Sequence, residues 1–174
     1  MANSIKIGDK SVKIMGGVPK VGDEAPDITF VRNDMAEASL YDINEPIKVV
    51  LGIPSIDTGV CQKETRRFNE IMAEFEGVRT LIISKDLPYT QKRFCGAEGL
   101  SNVELGSDYR YNDFNQDFGV EIIEGAMKGL TARCAFVIDS KFIIRYVEIV
   151  KSIGDEPNYD AIIEVVEKYL KKTA

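Results

Sequence analysis

The run from Ile47 to Ile53 and the residues just after it constrain this chain more than any other stretch. A nearly unbroken apolar run of this length reads as a strand buried on both faces. The turn residues Pro54-Ser55-Ile56-Asp57-Thr58-Gly59-Val60 follow, and then Phe68, Ile71, Met72 and Phe75 recur three and four residues apart. That spacing is the period of a helix with one buried face. A strand handing over to a helix here puts Cys61 in the helix's first turn. The unpaired backbone N–H groups of that turn favour negative charge. They therefore favour the thiolate, the nucleophilic form of cysteine.

The rest of the chain alternates in the same way. Ser4–Ile7 and Ser11–Ile14 flank Gly8-Asp9-Lys10 as an N-terminal β-hairpin. Ala25–Val31 reads as a strand, and Arg32 to Pro46 as a turn-rich polar connection. After the Cys61 helix, Gly77 supplies a stop and Val78–Ser84 a second buried strand. Asp86-Leu87-Pro88 opens a short helix over Tyr89 to about Cys95, with Gly96 ending it. Val103–Leu105 reads as a short strand and Asn112–Phe118 as a short helix. Cys134–Ile138 and Phe142–Val147 form a hairpin about Asp139-Ser140-Lys141, and Tyr159–Leu170 closes the chain as an amphipathic helix. No repeat or linker divides residues 1–174, so one domain is expected. The pattern predicts an α/β fold with a mixed central sheet flanked by helices. A thioredoxin-like fold fits it, and so does another doubly wound sheet.

Composition removes several function classes. A net charge of -6 argues against a nucleic-acid or membrane-surface role, since both need a basic face. No apolar run reaches the length of a membrane span, and Met1-Ala2-Asn3-Ser4-Ile5-Lys6 lacks the apolar core of a secretory leader, which points to the cytoplasm. Histidine is absent. That excludes Ser-His and Cys-His catalytic pairs, histidine-held haem and histidine-rich metal sites. Three cysteines, Cys61, Cys95 and Cys134, cannot form a four-thiolate metal site, so neither metal nor cofactor is expected. An odd number suits one transient redox pair and one bystander better than a structural disulfide framework.

Several segments together resemble the thiol peroxidases of the atypical two-cysteine peroxiredoxin group. Pro54 to Cys61 resembles that family's peroxidatic motif. Ser84 to Tyr89 and Arg93 to Leu100 resemble its resolving-cysteine segment, and Gly129-Leu130-Thr131-Ala132-Arg133 its arginine strand. Gly22 to Asp27 and Glu156-Pro157-Asn158-Tyr159 fit as well. Gly59 stands where many members carry proline, and Cys134 where a small apolar residue is common.

The resemblance implies a thioredoxin-like fold and a peroxidase that reduces hydrogen peroxide and alkyl hydroperoxides. Cys61 would be oxidised to a sulfenic acid, and Cys95 would condense with it to an intramolecular disulfide that thioredoxin reduces. Arg133 would stand beside Cys61 and hydrogen-bond the peroxide. Thr58, one helical turn before Cys61, would offer its hydroxyl to the sulfur and the peroxide, or cap the helix. Pro54 would shield the thiolate, and Ser55 would help position substrate. Cys134, next to Arg133 on a strand, would face away into the core. Leu87, Tyr89 and Phe94 read as core residues or as an apolar rim to the pocket. A homodimer is also implied. A redox-sensing or holdase-like interaction protein on the same fold is the alternative, separated by turnover. A thiol-disulfide oxidoreductase is disfavoured because no Cys-x-x-Cys occurs.

Overall fold

The computed structural model describes residues 3–173. Met1 and Ala2, part of the stretch read for a leader, and the terminal Ala174 lie outside them. The elements, in order, are β1 (Ser4–Ile7), β2 (Lys10–Lys13), β3 (Thr29–Val31), β4 (Glu37–Ser39), β5 (Ile47–Gly52) and α1 (Gly59–Met72). They continue as β6 (Val78–Ser84), α2 (Pro88–Glu98), β7 (Glu104–Ser107), α3 (Asp113–Asp117), β8 (Cys134–Ile138), β9 (Ile144–Ile149) and α4 (Tyr159–Thr173).

Among the described residues, β1 and β2 pair as a separate antiparallel hairpin, and the remaining strands form one sheet in the order β4-β3-β7-β6-β5-β8-β9. β5, β6 and β7 run parallel, and β3, β4, β8 and β9 pair antiparallel. The mixed, helix-flanked sheet and the N-terminal hairpin are those of a thioredoxin-like fold. Every residue of β5 is buried, as a central strand covered on both faces must be. Lys48 within it puts its ammonium 4.1 Å from the centre of the Phe142 ring.

Each face of the sheet has its own apolar core. One joins Val49 and Leu51 of β5 to Phe68, Ile71 and Met72 of α1 and to Ile162 and Val166 of α4. The other joins Val50 to Phe114 of α3, Phe136 of β8, and Ile5 and Val12 of the hairpin. Alternation along β5 and β8 sends neighbours to opposite cores. Cys61 thus lies in the first core and Cys134 in the second, against Gly52, where an added Cβ would come within 2.5 Å of Cys134 Sγ.

Several boundaries differ from expectation. α2 passes through Gly96 and stops at Gly99, whose positive φ of 64° lets its N–H close on the Cys95 carbonyl. The stretch Arg32 to Pro46 contains β4, an edge strand of three residues, too short to show a period. β3 itself is shorter than Ala25–Val31. β9 starts at Ile144, because the Asp139 carboxylate accepts the N–H groups of Lys141 and Ile143 and draws Phe142 into a turn with φ 61°.

Candidate active site

The parallel pairing of β5 with β6 puts the C-terminal end of β5 at one edge of the sheet, and the chain turns there into α1. Thr58 takes the extended N-cap conformation, so Cys61 falls in the first turn. Thr65 Oγ1 donates to the Cys61 carbonyl at 2.8 Å and tightens that turn. The Cys61 side chain has no solvent exposure.

Arg133 immediately precedes β8, which pairs with β5 so that Cys134 lies opposite Gly52. This register brings a residue far along the chain to the start of α1. Arg133 Nη1 donates to Cys61 Sγ at 3.4 Å and to Glu64 Oε1 at 2.9 Å. Its Nε and Nη2 both donate to the Ile153 carbonyl, at 3.2 and 2.8 Å. The guanidinium is 2% exposed and held from two sides. Burial works against its charge, but Cys61 and Glu64 beside it outweigh that and hold Arg133 above the ordinary arginine range. A positive N-terminus and a guanidinium thus meet at one sulfur, and both favour the anion.

The loop before α1 is braced from β6. Ser55 Oγ donates to Asp86 Oδ1 at 2.7 Å, and the Ile56 N–H to Asp86 Oδ2 at 2.7 Å. Asp86 lies two residues before Pro88, where α2 begins. One carboxylate therefore joins the Cys61 loop to the base of the helix that carries Cys95. The Thr58 hydroxyl donates to the Ser55 carbonyl at 3.0 Å and does not cap the helix. Its hydrogen is committed, and its lone pairs remain free to accept. Pro54 is buried beneath this loop.

Cys95 is half-buried on α2, and its thiol is free, as are those of Cys61 and Cys134. Burial raises the Cys95 thiol above its ordinary range, with Asn33 opposing. At the far end of α2, Arg66 of α1 holds Glu98 through two hydrogen bonds of 2.9 and 2.8 Å. Leu87 and Tyr89, read as core or pocket rim, are exposed at 50% and 67%, which removes the core reading for them. Phe94 is half-buried and packs against the α1 core.

Sequence reasoning missed Glu64, Asp86 and Ile153. Glu64, on α1, lies one helical turn after Cys61, which made it detectable as a neighbour of the sulfur. Ile153 acts through its carbonyl, which no side-chain pattern reports.

Residues 20–163 match the redoxin family model. The chain belongs to the redoxin family. This redoxin is 41% identical to the thiol peroxidase of Aquifex aeolicus (strain VF5) over 170 residues, covering 98% of this chain and 100% of that protein. It is 46% identical to the thiol peroxidase of Leptospira interrogans over 154 residues, covering 87% and 90%. A crystal structure of a peroxiredoxin-like protein from Aquifex aeolicus superposes with a TM-score of 0.92 at 41% identity, over 97% of this chain and 98% of that one. Among the described residues of this redoxin, no helix is long and apolar enough to cross a membrane.

Proposed function

We propose that this redoxin is a thiol-dependent peroxidase that reduces hydrogen peroxide and alkyl hydroperoxides at Cys61. The observation that carries the reading is a guanidinium N–H 3.4 Å from Cys61 Sγ at the positive end of α1, in a chain without histidine. The thiolate attacks the terminal peroxide oxygen. An S–O bond forms as the O–O bond breaks, two electrons pass from sulfur to oxygen, and the leaving oxygen takes a proton and departs as water or an alcohol. Arg133 donates to the peroxide oxygens as charge develops on them. Thr58, with its hydrogen engaged by Ser55, accepts from the peroxide O–H. Pro54 keeps water from the sulfur, and Ser55 holds the loop through Asp86.

Cys95 then attacks the sulfenic sulfur and displaces water, leaving an intramolecular disulfide. The two cysteines lie within α1 and α2, and a disulfide needs Cα atoms within about 7 Å. If the helices hold the two residues further apart than that, the first turn of α1 and the later part of α2 unwind during turnover. Thioredoxin is the reductant, the protein works as a cytoplasmic homodimer, and residues 1–174 act as one domain. The thiol peroxidase relatives and the redoxin match support the peroxidase activity and its thiol reductant.

Peroxide consumption with thioredoxin, its reductase and NADPH tests the reading. Wild type should consume many equivalents per protein, Cys61→Ser none, and Cys95→Ser should undergo one oxidation without cycling. Full activity in Cys61→Ser, or a single oxidation in wild type, refutes it.

A further inference from the structure

Glu64 is fully buried, one turn after Cys61 on the same helix, and it takes its hydrogen bond from the same Arg133 nitrogen that donates to Cys61 Sγ. Its second carboxyl oxygen, Oε2, is buried and has no hydrogen-bond partner among the described residues. We propose that Glu64 is a positioning residue that shares one negative charge with Cys61 across Arg133, protonated while the sulfur is a thiolate and ionised once the sulfur is neutral. This rests on the peroxidatic reading of Cys61.

The argument is one of charge count. Both side chains are 0% exposed, and one guanidinium lies between them. Two buried anions against one cation leave a charge uncompensated, and that costs more than protonating one of them. The other groups facing Glu64 do not supply a second cation. Glu148 from β9 and Glu156 from the loop before α4 are acidic and raise it further. Tyr159 of α4 and Cys134 of β8 are neutral at physiological pH. Lys63 is turned to Glu156 at 3.2 Å. Burial accordingly pushes the Glu64 carboxyl up to about 7, with Arg133 opposing. An orphaned Oε2 costs less as part of a neutral carboxyl than as part of a buried anion. When the peroxide takes two electrons from the thiolate, the sulfur loses its charge. Arg133 then has one anion left to hold, and Glu64 releases its proton to solvent, matching in number the proton that the leaving oxygen takes up.

The test is the rate of Cys61 alkylation by iodoacetamide against pH, followed by peptide mass spectrometry on the intact reduced protein, in wild type and Glu64→Gln. Glutamine keeps the oxygen that accepts from Nη1 and stands in for the protonated acid. The acid limb of the variant should therefore stay within about 0.3 units of wild type. A limb moved by about one unit or more in either direction overturns the proposal, since a move to lower pH means that Glu64 ionises before the sulfur. Difference infrared spectra of wild type with carboxyl-labelled glutamate read the Glu64 proton directly and need no variant. Loss of a protonated-carboxyl band on oxidation to the disulfide supports the proposal, and an unchanged band overturns it. Neither readout needs peroxide. Loss of the band on oxidation by diamide, in a protein that consumes no peroxide, would sink the peroxidase reading and leave the charge sharing intact.

Discussion

At the scale of single residues, the site is built from groups that would be expensive to bury alone. Arg133 is tolerated because three of its nitrogens find acceptors or the sulfur. Glu64 is tolerated because it can be neutral, and this gives it a pH signature. Its carboxyl, near 4.5 in the unfolded chain, is raised to about 7 by burial. A raised carboxyl contributes stability that is present below about 4.5 and lost as pH rises through about 7. The stability advantage of wild type over Glu64→Gln in urea unfolding should therefore shrink from pH 4.5 to pH 8, by about 3 kcal/mol. A difference that stays constant with pH would show that Glu64 is ionised throughout. Cys61 was legible from its address and its motif. Arg133 was placed by family resemblance alone, because the pairing of β8 with β5 that delivers it leaves no local trace.

At the scale of elements, β5 and α1 were readable because each repeats one signal over many residues: unbroken burial in β5, a three-and-four spacing in α1. β4 has three residues and no room for a period, and α2 ran past Gly96 because a glycine inside a helix looks like one at its end. Both helices carry exposed glycines with nothing within 4 Å of an added Cβ: Gly59 in the first position of α1 and Gly96 in α2. Thr58, just before Gly59, is already extended with φ −105° and ψ 149°, the conformation a following proline demands. Gly59→Pro should thus raise stability by about 0.5–1 kcal/mol in chemical denaturation. On the proposal that the same turn unwinds for the disulfide, it should also slow conversion of the Cys61 sulfenic acid to disulfide by several-fold in stopped-flow. Faster resolution in the proline variant would mean that the α1 turn does not open on the path to the disulfide.

At the scale of the whole molecule, the reactive edge is assembled from pieces remote in sequence. Asp86 ties the loop of α1 to the root of α2, and Arg66 ties the two helices again near the far end of α2. The Ile153 carbonyl that grips Arg133 belongs to a loop stitched to the first strand. The Lys6 N–H donates to the Lys151 carbonyl at 2.8 Å, and the Ile153 N–H to the Lys6 carbonyl at 2.9 Å. The N-terminal hairpin is therefore an outrigger for the guanidinium, steadying it through two backbone bonds to the loop that holds it. Lys6→Pro removes the first of those donors at an exposed position. It should lower peroxide turnover several-fold while circular dichroism shows the helices intact, and unaltered turnover would show that the loop holds itself. A fusion tag or trimmed terminus that disturbs the opening dozen residues would then be felt as slack at a sulfur far along the polypeptide.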